Sequence, residues 1–154
     1  MSQNLLVIGV FLLCAGCTQP DPPLVSEFVL SDSATQSKSE LEGLGYSCTA
    51  KSGELYPKVY ECDRDSDIST VYLYANDKAQ LEGIRAFGNA ENRGVWMKNA
   101  TELVFDLQRF PLLNTLWSDE IPSDSSFTMG TSVIERVSTG ERLILRISPS
   151  AAIR

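Results

Sequence analysis

Between Tyr46 and Phe87 the chain alternates four short strand-like runs with clusters of turn residues, and this spacing admits few folds. The runs are Tyr46–Lys51, Tyr56–Cys62, Thr70–Ala75 and Gln80–Phe87. They are separated by Ser52-Gly53, by Asp63-Arg64-Asp65-Ser66-Asp67 and by Asn76-Asp77-Lys78. In the third run Val71 and Leu73 face one way and Tyr72 and Tyr74 the other, because successive strand side chains point to opposite faces. Connections this short join antiparallel neighbours, whereas parallel strands need a crossover of a dozen residues or more. The stretch therefore predicts an antiparallel meander.

Helical patterns flank it. Ser33 with Gln36 three residues later fits a capping box, Leu41 and Leu44 recur at helical spacing, and Gly45 is a good left-handed stop. These predict a helix over Ala34–Leu44. Gly88 to Gly94 reads as a polar loop. Then Trp96, Ala100, Leu103, Val104, Leu107 and Phe110 form one apolar stripe that Pro111 ends, which predicts a helix over Val95–Arg109 lying across the sheet. Phe105 points away from that stripe. Either the irregular stretch Leu112–Asp124 covers it, which is the expectation because an exposed Phe is uncommon, or it is an exposed anchor for a partner. Ser132–Val137 and Arg142–Ser148 predict a hairpin about Thr139-Gly140-Glu141. Segregated helices and strands indicate an α+β fold, with an antiparallel sheet of five to six strands and two helices.

The N-terminus reads differently. A short apolar run, Leu5 to Leu13, is followed by Cys14-Ala15-Gly16-Cys17 and then by the polar, proline-rich Thr18-Gln19-Pro20-Asp21-Pro22-Pro23. The run is shorter than the ~20 residues a membrane-spanning helix needs. Apolar core, small residues and a break are the order of a cleaved secretory signal. Ala15-Gly16-Cys17 resembles the lipobox of bacterial lipoproteins. The resemblance implies that residues 1–16 are a signal peptide, that Cys17 becomes the lipidated mature N-terminus, and that residues 17–27 are a tether. Residues 28–154 would then be a single α+β domain. Thr18, which is not Asp, implies by the same resemblance an outer-membrane anchor facing the periplasm of a Gram-negative cell. One acyl chain anchors only marginally, so several chains on Cys17 suit the role.

Removing 16 of the 154 residues leaves 138, enough for one core. If Cys14 leaves with the signal and Cys17 takes the lipid, Cys48 and Cys62 remain of the 4 Cys. A disulfide between them is expected in an oxidising compartment. The alternative, a free catalytic thiol, lacks an activating neighbour.

The chain has 0 His, which removes Ser-His-Asp triads, Cys-His dyads, His-ligated zinc and His general bases. Walker loops, GxSxG, SxxK and dinucleotide fingerprints are missing too, so no cofactor is expected. With a formal net charge of −7 and no basic run, no nucleic-acid footprint is visible. Asp63, Asp65 and Asp67 repeat the first ligand positions of a calcium loop. However, Ile68 stands where its Gly belongs and Tyr74 where its bidentate Glu belongs, so no metal is expected.

All 5 Tyr lie between Tyr46 and Tyr74. Tyr72 and Tyr74 share a strand face, and Tyr56 and Tyr60 share the parity of Cys62. These four are the candidate binding face, since tyrosine suits protein or glycan contact, although it also simply favours strands. Three functions follow. The first is a non-enzymatic, lipid-anchored lipoprotein that binds an envelope protein or glycan. The second is a hydrolase acting on glycan or peptidoglycan through paired carboxylates, for which 20 Asp+Glu make chance proximity expected. The third is a structural assembly subunit offering an edge strand from the hairpin Ser132–Ser148.

Overall fold

The computed structural model describes residues 30, 33–89, 91–109, 125–139 and 142–149. In chain order the elements are α1 (Ala34–Gly43), β1 (Ser47–Lys51), β2 (Lys58–Asp63), β3 (Thr70–Ala75), β4 (Leu81–Gly88), α2 (Arg93–Leu107), β5 (Ser125–Met129), β6 (Ser132–Thr139) and β7 (Arg142–Pro149). This is an α+β fold. The strands form one antiparallel sheet of seven, ordered β1-β2-β3-β4-β7-β6-β5. The meander β1 to β4 follows chain order because its turns are too short for anything else.

β5 is the strand the sequence pattern did not announce. It pairs with β6 across Gly130 and Thr131, with Met129 opposite Ser132 and Gly130 at φ 56°. A two-residue hairpin loop with a left-handed glycine in its first position matches the right-handed twist of the flanking strands. The hairpin β6–β7 lies inside the sheet, flanked by β5 and β4, so neither strand offers a free edge. This corrects the expectation of assembly through Ser132–Ser148; the sheet's edges are β1 and β5.

Both helices pack on one face. Alternation puts Val71, Leu73 and Ala75 of β3, Ile84 and Ala86 of β4, and Leu145 and Ile147 of β7 there, all almost fully buried. α1 lies against β1, β2 and β3, and α2 against β4 and β7. α1 is held at its start by Ala34 N–H donating to the Ala79 carbonyl and by a bridge between Ser33 and Gln80. The capping box does not form. The Ser33 side chain makes no cap bond, and the Gln36 amide donates forward to Glu40. At the other end Gly45 adopts φ 90° and turns the chain into β1.

α2 is rotated from the predicted stripe. Trp96, Met97, Ala100, Thr101, Val104, Phe105 and Leu107 are buried, whereas Leu103 is only partly so. At 100° per residue this arc spans about half the helix and centres near Val104, whereas the predicted stripe centres near Leu107. Phe105 is therefore buried at 0% exposure, as expected, and its reading as an exposed anchor is overturned; the Leu112–Asp124 stretch expected to cover it lies outside the described residues. The helix is capped by Asn92, whose Oδ1 accepts from the Val95 N–H at 3.1 Å. Phe110, the Leu112–Asp124 stretch, the centre of the 139–141 turn, the signal peptide and the tether lie outside the described residues.

Cys48 and Cys62 stand opposite each other on β1 and β2 with Cα atoms 4.0 Å apart, and a disulfide joins them. Cys62 is fully buried and Cys48 partly, so the bond ties an exposed edge strand to the core. Closing a loop of this length restricts the unfolded chain by about 3 kcal/mol. Cys48→Ala with Cys62→Ala should therefore lower the unfolding free energy by about that amount in urea titration. A change under ~1 kcal/mol would mean that β1 holds without its bridge.

Candidate functional site

The sheet's other face carries no helix among the described residues. Register places Thr49, Glu61, Tyr72, Arg85, Arg146, Glu135 and Ser126 in one row across all seven strands. Tyr74 and Gly83 stand beside this row on one side, Phe87 and Ile144 on the other. Most of these side chains are half-buried, as expected for large groups that shield one another on an open sheet.

The aromatic residues form a connected patch. The Tyr72 and Tyr74 rings stack at 6.2 Å and 19°, Tyr56 tilts onto Tyr74 at 4.9 Å, and Phe87 meets Tyr72 edge-on at 5.5 Å. The Tyr74 ring also lies beside Gly83, where an added Cβ would meet it at ordinary van der Waals distance. The Arg85 guanidinium sits 5.5 Å from the Tyr74 ring centre and 6.0 Å from that of Phe87. Such stacking is favoured by the ring quadrupole.

Of the four tyrosines expected on one face, the structure brings three together. Tyr60 is the exception: it pairs with Leu73 and is buried on the helix-covered face. Parity misled because Tyr56 precedes β2, which begins at Lys58, so strand alternation does not reach it. Tyr46 is also core, donating its hydroxyl to the Ile68 carbonyl at 2.9 Å, with Arg64 over its ring. Phe87, Arg85 and Arg146 belong to the patch and were missed; Phe87 and Arg85 lie two residues apart in β4, a period-2 signal.

The patch is polar at one flank. Glu61 pairs with Lys51 and accepts from the Tyr72 hydroxyl at 3.1 Å. The Lys51 ammonium, with Tyr72 in support, holds the Glu61 carboxyl below its usual range. Burial, and then Glu61, push the Tyr72 phenol up; burial also raises Tyr74, against the pull of Arg85 and Arg146. Both tyrosines are thus neutral hydroxyls at physiological pH, fit for hydrogen bonding rather than for nucleophilic work.

Next to the patch a groove of about 500 Å³ is lined by Ser66, Ser69, Thr70, Tyr72, Phe87, Gly88 and Asn89. A second hollow near Tyr56 is lined by Glu82. Among the described residues neither lining brings together the two carboxyl groups that glycoside hydrolysis requires. Two residues of the acidic turn make structural contacts. Asp63 accepts from the Thr70 hydroxyl, and the Asp67 carbonyl accepts from the Trp96 indole N–H. No group of three His, Cys, Asp or Glu placed to hold a metal occurs among the described residues. Also among them, no helix is long and apolar enough to cross a membrane.

Known protein families, curated proteins and solved structures give no match to this chain.

Proposed function

We propose that this chain is a lipid-anchored envelope lipoprotein, held through Cys17 on the periplasmic side of the outer membrane, whose open sheet face binds another envelope component without catalysis. The observation that carries the binding half is the connected patch of Tyr56, Tyr72, Tyr74, Phe87 and Arg85 on a sheet face free of helices among the described residues. Tyrosine and arginine dominate the energetics of protein interfaces because each joins a large apolar area to a polar tip. The anchor half is supported by the lipobox-like Ala15-Gly16-Cys17 and the proline-rich stretch after it.

A photoreactive residue placed at position 72 or 74 in living cells tests the binding half. One specific crosslinked partner is expected from these positions and none from position 102, on the exposed side of α2. Equal yields from both faces, or no specific product, would remove the patch as a binding site.

A further inference from the structure

Arg85 and Arg146 stand directly opposite each other on β4 and β7, on the open face. Like charges in that position destabilise a sheet, so two arginines there bring the fold a cost rather than a gain. The surroundings only half compensate. Arg146 reaches Glu135 at 3.4 Å and its side chain is 44% exposed. Arg85 has no ion pair among the described residues; it lies against Tyr74 and Phe87, and its Nε is buried without a hydrogen-bond partner. Arg85 lies over the Tyr74 ring and Arg146 is its direct cross-strand neighbour, so the two cations sit side by side at the patch. The chain as a whole carries −7, which makes two adjacent cations on one face the exception that needs a partner.

We propose that Arg85 and Arg146, framed by Tyr72, Tyr74 and Phe87, are the recognition centre for an acidic segment of a partner protein, each guanidinium taking a carboxylate. Three features select this occupant. A guanidinium fork matches a carboxylate and gains most where aromatic rings exclude water. The arginines lie on an open surface and line neither hollow of this face, which suits a flat partner better than a small molecule. Six strand spacings of ~4.8 Å make the sheet about 29 Å wide, and strands of ~20 Å give it an area of about 580 Å², roughly three quarters of the ~800 Å² a standard interface buries on each side. The inference rests on the proposed binding role and names the chemistry of its partner.

The test uses the full chain in neutral detergent and a fluorescein-labelled decapeptide of alternating Glu and Ser, followed by anisotropy at low salt. The Glu peptide should bind at least tenfold more tightly than its Gln counterpart, and Arg85→Gln and Arg146→Gln should each weaken it about tenfold, the effect of one charged hydrogen bond. The far-UV spectrum and the Cys48–Cys62 bridge serve as folding controls. Equal binding of the Glu and Gln peptides, or variants that bind like wild type, would overturn the proposal. Displacement of the peptide by 1 mM inorganic phosphate at constant ionic strength, or by phosphatidylglycerol vesicles, would overturn it in favour of a small-anion or lipid site. Crosslinking from position 72 separates this from the broader reading. A specific partner whose capture survives both Arg variants leaves the binding module standing and removes the arginine pair. Peptide binding with no cellular partner does the reverse.

Discussion

Phe105→Ala is expected to lower the unfolding free energy by about 3–5 kcal/mol, the range for deleting a buried aromatic side chain. Phe105 is fully buried in the one core cluster that includes Trp96, Leu145 and Ile147. Against a total stability of about 5–15 kcal/mol this is a large fraction. Asp106→Ala, one residue on but on the exposed arc, should change stability by no more than about 0.5 kcal/mol. Urea titrations of the two variants with unchanged slope make the comparison clean. A loss under ~1 kcal/mol at Phe105 would put this ring outside the core.

The second large effect is expected at Gly88, the last residue of β4. A Cβ there would run into the Asp67 carbonyl oxygen and the Trp96 indole nitrogen, the two ends of a 2.6 Å hydrogen bond. Gly88 thus makes room for the contact that fastens the acidic turn between β2 and β3 to the start of α2. Gly88→Ala forces these groups apart, combining overpacking with a strained or lost hydrogen bond, at about 3 kcal/mol. Trp96 should also gain access to water, shifting its emission to the red. Gly43→Ala is the matched control, because nothing lies within 4 Å of the added methyl at the end of α1. It should be neutral or stabilise slightly, since Ala favours a helix over Gly by up to about 1 kcal/mol. Equal effects at the two glycines would mean that the Asp67–Trp96 contact is not structural.

How far the sequence announced this arrangement depended on how local the signal was. β3 is legible to the residue because Val71, Leu73 and Ala75 alternate with Tyr72 and Tyr74 and, among the described residues, helices cover only one face of the sheet. The Cys48–Cys62 bond follows from two cysteines on neighbouring strands once Cys14 and Cys17 are assigned elsewhere. α2 was legible as a helix but not in its rotation: Leu103 is more hydrophobic than Thr101, yet Thr101 is buried and Leu103 only partly so, because the position of α1 and the sheet decides which arc is covered. Burial of Thr101 is made tolerable by its hydroxyl donating to the Met97 carbonyl at 2.6 Å. β5 was missed because its alternation is short, and its best signal was the Gly130 turn. The patch was half legible. Tyr72 and Tyr74 declare their face through β3, and Arg85 and Phe87 reach it through the short β3–β4 turn, but Arg146 joins them only through the pairing of β4 and β7, which no local pattern encodes. Arg136 was not legible either. It occupies the covered face of β6 at 5% exposure, and burial lowers its pKa.

That the domain works at a membrane through Cys17 is the claim on which the location and the choice of partner depend. Intact-mass and peptide analysis of protein extracted from membranes reads it directly. The mature chain should begin at Cys17, lack residues 1–16 and carry acyl chains on that residue. Cys17→Ser should then stay unprocessed at Gly16 and carry no acyl chain, with the Cys48–Cys62 bridge intact, because the described core lies far along the chain from residue 17. A wild-type chain with no acyl group on Cys17 would contradict the anchored reading.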